Sequence, residues 1–157
     1  MKVHDIMTRD AVSCQTDMDL ASAARIMLKG RIGTLPVVDP HGCVTGMLTD
    51  RDIALATGTR ERNGSDIAVH EAMSSRVRGC LACDGVTSAL KQMEQARVRR
   101  LPVLDATGHL AGILSIDDIL LRAVGEKNGI APADFLSAMR AICEGPSVEP
   151  EVEEGRV

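Results

Sequence analysis

Leu35-Pro36-Val37-Val38-Asp39 returns 66 residues later as Leu101-Pro102-Val103-Leu104-Asp105. The offset holds without a gap between 3–54 and 69–120, with about 17 identical positions. Val3-His4-x-x-Met7 is matched by Val69-His70-x-x-Met73, and Gly46-x-Leu48-Thr49-x-x-Asp52-Ile53 by Gly112-x-Leu114-Ser115-x-x-Asp118-Ile119. A fixed period with special residues in register marks duplication of one structural unit. Two copies are too few for a solenoid. The expected arrangement is a pair related by a pseudo-two-fold axis, burying one shared face.

Each copy reads as β-α-β-β-α. Short strands are predicted at 11–14 and 77–80. Leu20, Ala23, Ala24 and Met27 recur at i, i+3, i+4 and i+7, an amphipathic helix over 20–29 that Asp17 or Asp19 caps. Val86, Ala89, Leu90 and Met93 repeat it over 86–96. Apolar runs at 34–38 and 44–48 flank Asp39-Pro40-His41-Gly42, whose residue types suit a type I turn, so a hairpin is predicted. Its copy spans 100–104 and 110–114. Closing helices are expected at 50–56 and 116–124. The predicted organisation is a first repeat over 1–57, a polar linker over 58–66, a second repeat over 67–124 and a C-terminal helix over 130–144. An acidic tail over 145–157 is expected to be disordered, from its Glu and Pro content.

Composition narrows the function classes. The chain has 157 residues, 45% apolar and 25% charged, as in a soluble globule. Its net charge of −4 and the absence of a DNA-binding motif argue against nucleic acid. Phe135 is the sole aromatic residue, so stacking platforms for single strands are missing. No apolar run reaches the ~18 residues of a membrane span. With no apolar leader at the N-terminus and five cysteines, the expectation is a reducing cytoplasm and free thiols.

The ordered set of motifs, occurring twice, resembles the cystathionine-β-synthase (CBS) domain in its tandem arrangement, the Bateman module. The markers are Val-x-x-x-Met near each start, Leu-Pro-Val followed by an apolar residue and Asp, and Gly-x-Leu-Thr/Ser-x-x-Asp-Ile. The resemblance covers roughly residues 1–124. It implies an α/β (α+β) fold with two clefts, as a stand-alone pair of bacterial type. It also implies a regulatory rather than catalytic role, with AMP, ADP, ATP, NAD or S-adenosylmethionine as regulatory ligand. A homodimer and an unidentified effector protein are the implied partners.

Candidate site residues follow. Thr49-x-x-Asp52 and Ser115-x-x-Asp118 read equally as capping boxes and as ribose-binding carboxylates beside a phosphate-facing hydroxyl. The two readings are compatible. Arg97-Val98-Arg99-Arg100 reads as a solvated charge run or, at Arg99 and Arg100, as a phosphate clamp, because the guanidinium makes bidentate contacts. The first repeat has Gly33 and Thr34 there but carries Arg51 where the second has Asp117. Unequal sites are expected, the Asp118 site being the better phosphate binder and Arg51 partly compensating at the other. Met47, Ile113, Ile32 and Val98 read as core. By the resemblance they also sandwich adenine, with Val12 and Arg78 supplied from the partner repeat.

A thiol- or metal-responsive role would rest on Cys14, Cys43, Cys80 and Cys83. Since Cys14 and Cys80 are repeat copies, as are His4 and His70, a structural slot is the simpler reading. No metal ligands are predicted. A third reading is a dimeric scaffold with empty clefts. No nucleophile constellation, phosphate-cradling glycine loop or dinucleotide fingerprint is present, which leans away from catalysis.

Overall fold

The computed structural model describes residues 1–144; the acidic tail predicted over 145–157 lies outside the described residues. The first repeat runs β2 (Cys14–Gln15), α2 (Leu20–Gly30), β3 (Thr34–Val38), β4 (Val44–Thr49) and α3 (Asp50–Thr59). The second runs β5 (Cys80–Leu81), α4 (Val86–Ala96), β6 (Arg100–Leu104), β7 (Leu110–Ser115) and α5 (Ile116–Arg122). The β-α-β-β-α unit therefore occurs twice. Ahead of the first stand a one-turn helix α1 (Val3–Ile6) and a two-residue strand β1 (Thr8–Arg9); α6 (Pro132–Glu144) closes the described chain.

The register repeats as the sequence does. Cys14 pairs with Val37 in parallel, and Cys80 pairs likewise with Val103. Leu35 faces Leu48 and Leu101 faces Leu114 in the antiparallel hairpins. Leu35, Val37, Leu48, Leu101, Val103 and Leu114 are wholly buried. Asp19, not Asp17, caps α2, its carboxylate accepting from Ser22 N at 2.8 Å.

The strands predicted at 11–14 and 77–80 lie one to three residues further on. Two-residue strands carry no alternation to locate them; pairing with β3 and β6 decides where they sit. The closing helices also differ in length. α3 runs to Thr59, and α5 stops at Arg122, beyond which Gly125 turns the chain at φ +80°.

One arrangement has no local signal. The segment leading into each repeat is built into the other repeat. Val3 and Ile6 belong to the core with Val86, Leu90, Leu101 and Leu114. Ile67 and Val69 belong to the core with Leu20, Leu35 and Leu48. Backbone bonds stitch both crossings at equivalent positions. Leu20 N donates to Ile67 O, Val69 N to Met18 O and His70 N to Thr16 O. Val86 N donates to Met1 O, Val3 N to Asp84 O and His4 N to Ala82 O. β1 then pairs with β7, giving the sheet order β1-β7-β6-β5. At that crossing a Cβ on Gly112 would stand 2.6 Å from Thr8 O, so a residue without a side chain is required.

Both cores are aliphatic, and among the described residues no polar or charged side chain is buried. Cys14 and Cys80 sit inside them, where burial pushes their thiols up to about 11 and about 12. Thiolate is the reactive form. At pH 8 native protein should therefore leave Cys14 and Cys80 unmodified by a disulfide reagent while the exposed Cys83 and Cys143 react within minutes. The ordinary thiol value is 9.0. Ionisation thus favours the unfolded chain, and these two groups lower stability as pH rises past 9. Fast modification of all five cysteines in folded protein would contradict this burial.

Candidate functional site

Hairpin and helix meet at Thr49. There β4 ends and α3 begins, and the first turn of a helix leaves backbone N–H groups without partners. The Thr49 hydroxyl accepts from Asp52 N at 3.1 Å, and Asp52 Oδ2 accepts from Thr49 N at 2.8 Å and from its hydroxyl at 2.7 Å. Ser115 and Asp118 build the same box at the start of α5. Both predicted caps form.

The carboxylates differ in the remaining oxygen. Among the described residues, Asp52 Oδ1 takes no hydrogen bond. Asp118 Oδ1 accepts from Arg122 Nη1 at 3.1 Å, and the same nitrogen donates to Ile6 O at 2.5 Å. In the first repeat the position of Arg122 is held by Ala56. One carboxylate is open to a ligand; the other is already paired.

Asp52 borders a cavity of about 850 Å3 between the repeats. Ligand pockets span roughly 300–1,000 Å3. The first repeat contributes Gly33, Thr34, Met47, Thr49, Asp50 and Arg51. The second contributes Val98, Arg99 and Arg100, with Arg97 at the end of α4. The segment between repeats adds Ser74, Arg76 and Arg78, and α6 adds Ile142. α6 packs against α4 through buried Ala138 and Ile142, and Arg99 reaches Cys143 Sγ at 3.7 Å.

Of the candidate residues, Thr49, Arg51, Asp52, Met47, Val98, Arg99, Arg100 and Arg78 line this one cavity. Ser115, Asp118, Ile113, Ile32 and Val12 do not; Ile32 and Val12 are 36% and 51% exposed. Arg99 and Arg100, expected beside Asp118, line the cavity at Asp52. Arg99 immediately precedes β6 and Arg100 opens it. Arg76 was missed altogether. Its signal was the Arg76-x-Arg78 spacing, which in an extended segment sends both side chains to one side.

The sequence model of the CBS domain matches residues 3–57 and 84–125. The chain belongs to the CBS domain family. The CBS domain-containing protein YhcV of Bacillus subtilis is 32% identical over 126 residues, 80% of this chain and 88% of that protein. Among solved structures, the CBS domain pair of MJ0100 in complex with 5′-methylthioadenosine and S-adenosyl-L-methionine is 26% identical. It has a TM-score of 0.70 over 77% of this chain and 94% of that one. Hypoxic Response Protein I with two coordinated zinc ions is 28% identical, TM-score 0.72, over 78% of this chain and 98% of that one. Among the described residues of this CBS pair, no three of His, Cys, Asp and Glu gather where they could hold a metal. Among the described residues, no helix is long and apolar enough to cross a membrane.

Proposed function

We propose that this CBS pair is a cytoplasmic regulatory module that binds an adenosine-bearing ligand in the cleft at Asp52. The observation that carries the reading is the Asp52 carboxylate. One oxygen is fixed by the cap and the other is open at the cavity, where a ribose diol can donate to it. Met47 and Val98 supply aliphatic faces for a purine, and no aromatic residue is among the described residues that line the cavity. The ligand complex of MJ0100 supports the class of ligand.

The output is binding, not chemistry. A ligand shifts a conformational equilibrium by its differential affinity for two arrangements. The cavity is walled by both repeats and touched by α6 through Ile142, so occupancy bears on their relative placement. An effector protein reads that placement. The exposed leucines Leu55 on α3 and, on α5, its repeat equivalent Leu121 with the neighbouring Leu120 form the surface for a second copy, giving a homodimer.

Thermal unfolding with millimolar AMP, ADP, ATP, NAD, 5′-methylthioadenosine and S-adenosylmethionine tests the reading. A ligand at ~100 times its Kd adds about 2.7 kcal/mol, a rise of roughly 5–10 °C at this chain length. No shift with any of them sinks the ligand-binding role and leaves the scaffold.

A further inference from the structure

The cavity at Asp52 is lined by six arginines from three separate stretches of chain: Arg51; Arg76 and Arg78; Arg97, Arg99 and Arg100. Among the described residues, only Asp50 and Asp52 oppose them there. The whole chain is acidic, at −4, so this concentration of positive charge is local. Among the described residues, Arg51, Arg76, Arg78 and Arg100 have no side-chain hydrogen bond or ion pair.

The fold does not demand these residues. Moving by the 66-residue offset, Arg51 corresponds to Asp117, Arg76 to Asp10, Arg78 to Val12, Arg99 to Gly33 and Arg100 to Thr34. These five positions in the sister repeat thus carry acids or neutral residues; only Arg97 corresponds to another arginine, Arg31. A charge run selected only for solubility would not converge from three segments on one cavity. Like charges gathered around a concave wall repel, and an anion placed among them is favoured, the more so where protein walls lower the effective dielectric.

We infer that the ligand of this cleft carries two or more phosphate groups, which lie against Arg76, Arg78 and Arg100, and that cationic S-adenosylmethionine is not its ligand. The placement of the nucleoside rests on the proposed function, with ribose at Asp52; the phosphate chemistry rests on the arginines alone. Guanidinium groups contact phosphate oxygens in bidentate pairs. A single phosphate can engage only some of these groups. A polyphosphate chain, carried by a nucleotide or free, reaches several.

The test is calorimetric titration of the full chain with ATP, AMP, S-adenosylmethionine and inorganic tripolyphosphate at low salt. The double variant Arg76→Gln, Arg78→Gln follows, with Arg100→Gln as an independent second variant; all three arginines are exposed, and unfolding curves verify the fold. ATP should bind at least ~10-fold more tightly than AMP, and S-adenosylmethionine more weakly than AMP. Tripolyphosphate should compete with ATP but bind more weakly. The double variant should lose ~10-fold or more in ATP affinity and stay within about twofold for AMP. Affinity for ATP should also fall with added salt, since exposed charges are screened.

AMP binding as tightly as ATP, or S-adenosylmethionine binding best, overturns the polyphosphate assignment and leaves the adenosine reading standing. Tripolyphosphate binding as tightly as ATP supports the phosphate site and removes the adenosine reading. Binding by none of the four overturns both.

Discussion

Asp52→Ala should weaken nucleotide binding at least ~100-fold while Asp118→Ala leaves it within about twofold. The contrast follows from one oxygen atom. In both repeats Oδ2 of the aspartate is spent on the helix cap. At Asp52, Oδ1 is available at the cavity; at Asp118, Oδ1 is held by Arg122 and the residue does not line the cavity. Hydrogen bonds to a charged group contribute about 1.5–3 kcal/mol each. Losing two ribose hydroxyl contacts therefore costs about 3 kcal/mol or more. Each variant also loses the acid half of its capping box, while the Thr49 or Ser115 hydroxyl still caps the helix, so both should unfold slightly lower. A stability loss in Asp118→Ala at least as large as in Asp52→Ala, with affinity lost only in Asp52→Ala, is the signature. Asp52→Asn, which keeps a side-chain acceptor for the cap, separates the two effects. Affinity lost in Asp118→Ala and kept in Asp52→Ala would reverse the assignment of the site.

The largest effect on stability is expected at Ile67. This residue precedes the second repeat in sequence, yet it is 0% exposed in the core of the first, against Leu20, Leu35 and Leu48. Its carbonyl also accepts from Leu20 N, at the start of α2. Truncation of a buried Ile to Ala costs about 2–5 kcal/mol, the lost burial plus the cavity left behind. At 2–4 °C per kcal/mol, Ile67→Ala should lower Tm by roughly 10 °C. Because the segments cross in both directions, calorimetry should show one transition for the variant, as for the parent. Two resolved transitions, or a loss below about 1 kcal/mol, would show that the crossing is loosely held.

What could be read from the residues alone follows from the range over which each signal acts. α2 and α4 announce themselves by apolar spacing, and their predicted spans differ from the observed ones by at most a residue. The hairpins carry turn chemistry at Asp39–Gly42 and in its copy, and the caps carry Thr49-x-x-Asp52 and Ser115-x-x-Asp118. All are local. α1 and β1 are too short for any periodicity, and nothing in Val3-His4-Asp5-Ile6 says which repeat will bury it. The cleft shows the same limit. The acids were legible because a capping box is also a four-residue pattern. The destination of Arg99 and Arg100 was not, since which cleft a loop borders depends on how the two repeats pack. Only the packed structure assigns them to Asp52.

The reciprocal crossing bears on how such a molecule arises. A chain holding one repeat would have a leading segment with nowhere to dock and a groove with nothing in it. Two separate copies would meet both needs by trading those segments, the exchange that builds swapped dimers. Every contact seen at Ile67 and Val3 would then exist between chains. Fusing the copies through residues 58–66 turns that association into an intramolecular one, with an effective concentration in the millimolar range. It also breaks a constraint. In a dimer of identical repeats every substitution appears in both clefts at once. In the fused chain one cleft can gather arginines while its twin takes Asp10, Asp117 and a closing Arg122. Unequal sites are a freedom that only the joined molecule has.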